Sequence, residues 1–161
     1  MMHLIALALL VAPARSPAPH DTTTVDFRAA TVAVLDAGAV WAKQTVGQAT
    51  RVVIDRASFE SVARSIGATD STSADFVKRA RAGAEEKAFN DVKVCVGTVK
   101  PRCTLPYGTA VVMAVRAKRS ADSAVLTIAI KWPFGERMGF VEYDATFAKG
   151  ALVSVRRVRQ S

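Results

Sequence analysis

From Asp91 onward the apolar residues of this chain recur every second position, whereas before Asp91 they recur about every fourth. A period of two is the mark of an extended strand with one buried face, and a period near 3.6 is the mark of a helix. This change constrains the fold more than any other feature. Val92, Val94 and Val96 alternate with Lys93 and Cys95. Thr109 to Lys118 places Val111, Met113, Val115 and Ala117 on one face, and Arg119 to Ser123 is a polar turn. Leu126, Ile128, Ile130 and Trp132 form the next apolar row, ended by Pro133-Phe134-Gly135. Val141, Tyr143, Ala145 and Phe147 form another, Lys149-Gly150 is a tight-turn signal, and Ala151 to Val158 is a last strand. Four successive strands joined by short loops predict an antiparallel meander.

The first half reads as helical. Phe27, Ala30, Val34, Ala37 and Trp41 make one apolar stripe, which Gly38 ends or weakens. Arg51 to Asp55 is a short β-branched strand. Phe59, Val62, Ala63 and Ile66 predict a short helix closed by Gly67. Thr72 and Asp75 resemble a capping box for a third helix from about Ala74 to Phe89. Phe76, Val77, Ala80, Ala84 and Ala88 would face inward on it, and Glu85-Glu86 would be solvated. Helices first and strands later give the class α+β: N-terminal helices packed on one face of a curved, mainly antiparallel sheet. This order of helix, strand, short helix, capped helix and strands resembles the nuclear transport factor 2-like fold, also described as a cystatin-like cone. The resemblance covers most of residues 25–160. It implies a pocket between sheet and helices, in a family that includes isomerases, dehydratases and non-catalytic binding domains.

Leu4 to Val11 is an unbroken apolar run of eight residues, followed by Ala12-Pro13-Ala14. That layout is a secretory signal, too short to span a bilayer, although Met1-Met2-His3 lacks the usual cation. The expectation is a signal peptide over 1–14, a loose Pro-rich leader over 15–24, and a single domain over 25–161. The protein would then work in the periplasm or outside the cell. No later run reaches eighteen apolar residues, so no transmembrane segment is expected.

The net charge of +8 falls entirely in the second half. Residues 93–161 carry twelve Lys and Arg against four Asp and Glu. Such asymmetry suits an anionic partner, which for an exported protein means an envelope polymer, a phospholipid headgroup or an acidic protein. Arg116, Lys118, Lys131 and Arg156 would share the outer face of the sheet. Nucleic acid is not expected, because no basic helix or aromatic pattern matches a known reader.

Much chemistry is excluded. The histidines are His3, inside the signal, and His20, in the leader. That removes Ser-His-Asp and Cys-His machinery and the His-Glu-x-x-His zinc site. There is no glycine-rich phosphate loop and no Gly-x-Ser-x-Gly elbow. Neither a cofactor nor a metal is expected. Glu142 and Asp144 share one strand face, but it is opposite the apolar row, so ion pairing with Lys131, Arg116 or Arg156 is the expectation. A non-catalytic module binding an envelope protein or a small apolar ligand is the main reading, with Trp132, Tyr143, Met113 and Ile128 lining the pocket. The enzymatic alternative, an isomerase or dehydratase, would pair Asp36 as base with Tyr143 as hydrogen-bond donor.

Cys95 and Cys103 are the two cysteines, and Gly97 and Pro101 between them let the chain reverse. Two thiols in an exported chain predict a disulfide. The closed nine-residue loop is worth about 2.5 kcal/mol on the chain-entropy model. Non-reducing mass spectrometry of the exported protein should therefore find no free thiol. Reduction should lower the melting temperature without unfolding the domain.

Overall fold

Asp26 starts the fold. Its carboxylate accepts the backbone N–H of Ala29 at 3.0 Å, satisfying a donor that the first helical turn cannot. Val25 before it and Ala30 after it both enter the core, as in a hydrophobic staple. The computed structural model describes residues 25–45, 51–67 and 84–161. The expected signal, the leader and residues 74–83 of the expected third helix lie outside the described residues.

The elements are α1 (Phe27–Thr45), β1 (Arg51–Ile54), α2 (Arg56–Ser65), β2 (Glu85–Glu86) and α3 (Phe89–Val92). Then come β3 (Val94–Val96), β4 (Arg102–Thr104), β5 (Thr109–Arg119), β6 (Ser123–Phe134), β7 (Arg137–Ala148) and β8 (Ala151–Gln160). One sheet has the order β2-β1-β5-β6-β7-β8, and β3 with β4 forms a separate two-stranded ribbon. The meander β5 to β8 is antiparallel throughout, as the period of two implies. β1 joins it differently, running parallel to both β5 and β2. The chain is thus α+β, with a mainly antiparallel curved sheet.

Several local expectations change. Helix α1 continues through Gly38, which is buried. A Cβ there would lie 2.8 Å from Ile130 Cδ1, so the bare backbone lets the helix rest close on β6. The buried stripe of α1 is Phe27, Ala30, Thr31, Val34 and Leu35, while Ala37 is exposed. The side chain of Trp41 is outside the described residues. Glu85 and Glu86 form a strand rather than a helix end, paired with Val53 and Ile54. β6 runs on through Pro133 and Phe134, because Pro133 pairs with Met138 at the hairpin end.

The joint between β1 and α2 rests on one hydroxyl. β1 ends at Ile54, and the Asp55 N–H still reaches the carbonyl of Val112 at 2.9 Å. The next outward N–H of β5, that of Ala114, would have no strand to meet. It donates instead to Ser58 Oγ at 3.0 Å, and that hydroxyl donates to the Asp55 carbonyl. A helix can therefore begin where the strand stops without leaving a buried donor unpaired.

One face of the sheet is covered by α1 and α2. Ala110, Val112 and Ala114 of β5 join Leu126, Ile128, Ile130 and Trp132 of β6 there, with Val141, Tyr143, Ala145 and Phe147 of β7. Phe27 of α1 meets Phe59 of α2 edge-on, with ring centroids 6.3 Å apart. The single-face row expected on β5 is not what forms. A bulge between Ala114 and Arg116 leaves Val115 as the extra residue and reverses the alternation. Val111 accordingly faces away from the helices, in a smaller cluster with Val53, Val92 and Leu105, against which Phe89 and Met138 pack. Ala117 faces back toward the helices. At β7–β8 a two-residue loop, Lys149-Gly150, has φ of 51° and 78°, the pair of positive angles that a type I′ hairpin requires.

Trp132 lies directly opposite Gly139 in the ladder. A Cβ at Gly139 would come within 2.5 Å of the indole ring carbons, so the ring occupies the space a side chain would need. Gly139→Ala should therefore displace Trp132 and cost about 1–3 kcal/mol. Urea unfolding should show a lower midpoint at unchanged slope.

Candidate functional site

The interior positions come first. Ile128, Trp132 and Tyr143 all face the helices and are buried, at 0, 2 and 5 % exposure. The register runs Ala114, Ile128, Tyr143, Arg157 across β5 to β8. Met113 lies in the next row, with Ala129, Glu142 and Arg159, on the other side of the sheet. The pocket expected from Trp132, Tyr143, Met113 and Ile128 is therefore not assembled: three fill the core and the fourth faces away. The bulge and the two-sided apolar character of β5 hid this from the sequence.

A Cβ at Gly38 would lie 3.7 Å from the Tyr143 hydroxyl, so the phenol reaches up beneath α1. Burial pushes its pKa above the ordinary value, with Arg157 on the neighbouring strand acting in the opposite direction. Asp36 is exposed on α1, one position after buried Leu35. The structure does not bring Asp36 and Tyr143 together as an acid–base pair. A buried carboxylate the periodicity did not flag is Asp55, 6 % exposed, whose Oδ1 has no hydrogen-bond partner among the described residues. It follows β1, three strands from Tyr143 and thus about 14 Å away.

The second feature is the face of the sheet turned away from α1 and α2. The register sets Arg116, Thr127, Asp144 and Arg156 in one row. Lys118 lies one row to one side, Glu142 and Arg159 one row to the other, and Lys131 one row beyond. The four cations expected on the outer face are thus on it, and Arg159 joins them. Arg116, Lys118, Arg156 and Arg159 are exposed. The ion pairs expected for Glu142 and Asp144 do not form with any described residue. Asp144 accepts a 2.6 Å hydrogen bond from Thr127 instead. Lys131 lies 4.6 Å from the Phe89 ring centroid, and Arg159 lies 5.1 Å from that of Phe140. Both keep their charge while covering an aromatic face.

The third feature is the ribbon β3–β4, pinned by the Cys95–Cys103 disulfide, with S–S 2.01 Å. The expected bridge is present. The two cysteines are directly opposed in the ladder, which brings their Cα atoms to 4.0 Å. β4 rests beside the β6–β7 turn. Arg102 pairs with Glu136 at 2.9 Å, and the Thr104 hydroxyl donates to the Arg137 carbonyl at 3.1 Å. Between them lies an open cleft of about 410 Å³ lined by Arg102, Cys103, Glu136, Arg137 and Met138. Nothing in the period-two pattern signals this cleft, because it joins a short ribbon to a turn some thirty residues away.

Among the described residues no group of three His, Cys, Asp or Glu gathers that could hold a metal ion. None of the described helices is long and apolar enough to cross a membrane. Comparison with protein-family models, curated proteins and solved structures finds no match to this chain.

At the far edge of the sheet, Arg51 holds Glu85 through two hydrogen bonds, the longer 2.7 Å, and Lys87 Nζ lies 3.3 Å from the same carboxylate. These cations lower the Glu85 pKa to about 2, with the Arg51 hydrogen bond the larger cause. A depressed carboxyl stabilises the β1–β2 pairing above its unfolded pKa and loses that effect as pH falls through the folded value. The window is therefore from about 4.5 down to about 2. Carboxyl NMR titration should place the Glu85 midpoint near 2. Arg51→Gln should raise it part of the way to the ordinary value, with Lys87 holding the remainder.

Proposed function

We propose that this protein is an exported, non-catalytic binding module that takes an anionic partner on the open face of its sheet. The observation that carries the reading is the row arrangement on that face. Arg116 and Lys118 of β5, Lys131 of β6, and Arg156 and Arg159 of β8 share that face, and Glu142 and Asp144 of β7 between them pair with none of them among the described residues. Strands about 4.8 Å apart put Arg116 and Arg156 about 14 Å from each other, a spacing that suits an extended polymer better than a small ion. Export is supported by the disulfide, which belongs to oxidising compartments.

Binding rather than catalysis is supported by the interior. Among the described residues its titratable groups, Asp55 and Tyr143, are three strands apart, too far to share one proton or one substrate atom. A small apolar ligand has less support, since Ile128, Trp132 and Tyr143 are packed into the core. The resemblance to the nuclear transport factor 2-like cone stays part of this proposal, supported by α1 and α2 on one face of a curved sheet.

The test is binding to inorganic polyphosphate and to polyglutamate across a salt series. With four cations engaged, affinity should fall about fiftyfold between 50 and 200 mM salt. Arg116→Gln with Arg156→Gln should reduce the slope of log affinity against log salt by about half. Failure to bind either polyanion at 50 mM salt would overturn the reading.

A further inference from the structure

We propose that the end of the molecule carrying the disulfide ribbon seats on an anionic lipid bilayer. The inference goes beyond the open-face cations and stands on a different set of residues.

That end collects apolar side chains that the fold leaves in water. Val96, Val99, Tyr107 and Phe134 are 73, 90, 92 and 65 % exposed, and Val94 is half exposed. They come from three turns and one ribbon that the topology places together. Val111 pairs with Lys131, so Thr109 at the start of β5 falls opposite Pro133 at the end of β6. Tyr107 and Phe134 therefore project from the same end of the sheet. Val96 is opposite Arg102 in the ribbon, and Arg102 is tied to Glu136 in the turn that follows Phe134. Val99 is at the tip of the ribbon.

The surrounding charge is mainly positive. From Lys93 to Gly108 there is no acidic residue, and Lys93, Lys100 and Arg102 are interleaved with the valines. Arg137 adds a fourth, exposed cation from β7. Glu136, the carboxylate of the neighbouring turn, is engaged by Arg102. Aromatic and aliphatic tips ringed by Lys and Arg are the composition that enters a headgroup layer, where the apolar parts lie below the charges.

The shape favours a fluid surface over a protein partner. These side chains project from separate turns and do not line a groove. The cleft beside them is walled instead by Arg102, Cys103, Glu136, Arg137 and Met138. A protein would need a matching contour for each projection, whereas an interface of lipid closes around them. The disulfide also holds the ribbon in place beforehand, so docking orders little that is not already ordered.

The test is co-sedimentation of the folded protein with phosphatidylcholine vesicles and with vesicles of phosphatidylcholine and phosphatidylglycerol at three to one. Wild type should bind the phosphatidylglycerol vesicles at 50 mM salt, bind them less at 300 mM, and leave phosphatidylcholine vesicles in solution. Lys100→Gln with Arg137→Gln should weaken binding about twenty-fivefold, or fivefold per cation. Val99→Ser with Tyr107→Ser should weaken it at least about tenfold. These side chains are exposed, and circular dichroism would verify that each variant keeps its fold. The open-face variant Arg116→Gln with Arg156→Gln should stay within about twofold of wild type. Absence of binding to phosphatidylglycerol vesicles at low salt, with polyanions still bound, overturns the membrane inference and leaves the open-face reading intact. Loss of vesicle binding in the open-face variant, with the two end variants unaffected, overturns it in the same way.

Discussion

The bulge at Val115 decides what the sheet can present to its surroundings. Up to Ala114 the even-numbered residues of β5 face the helices. Continued in phase, that alternation would aim Arg116 and Lys118 into the core, where an unpaired charge is strongly unfavourable. The extra residue reverses the phase, so Ala117 turns inward and the two cations turn outward. β8 uses the same device twice, with Val158 and Val153 as the residues left out of register. The first of these sends Arg159 to the open face beside Glu142. The open-face charge thus arises from where the ladder slips as much as from composition.

A second dependence runs through Ser58. β1 is short and parallel to β5, and α2 must begin immediately after it. The Ser58 hydroxyl accepts from β5 and donates to Asp55, so it links helix and sheet at the point where backbone pairing runs out. The close approach of α1 depends in turn on Gly38, beneath which Ile130 and Tyr143 fill the space. The tight filling there leaves Tyr143 as a packing residue with a phenol tip.

The parts of the fold legible in the sequence were those set by strict local periodicity. The rows on β6 and β7 follow the alternation residue by residue, and the disulfide follows from two thiols flanking a turn. The two-sided character of β5 is not legible, because Val111, Met113 and Val115 continue a regular alternation across a slip that no residue announces. The parallel pairing of β1 is equally silent, since Arg51 to Ile54 looks alike in either orientation. Nearness to the apolar stripe suggests an inward Asp36, but the buried side includes Leu35 and leaves Asp36 in solvent. The cations of the outer face were legible because they occupy the complementary phase of the same strands. The cleft was not, because it depends on contacts between Arg102 and Glu136 that are distant in sequence.

The two slips in β8 have a further result. This strand forms one edge of the six-stranded sheet, and a ten-residue edge rich in valine is an inviting template for a second copy of itself. Here the ladder is broken near Val153 and again near Val158, and Arg156, Arg157 and Arg159 stand along it. Two such edges brought together would meet kink against kink and cation against cation. The strand that supplies much of the molecule's charge also guards it against growing, copy by copy, into a fibre.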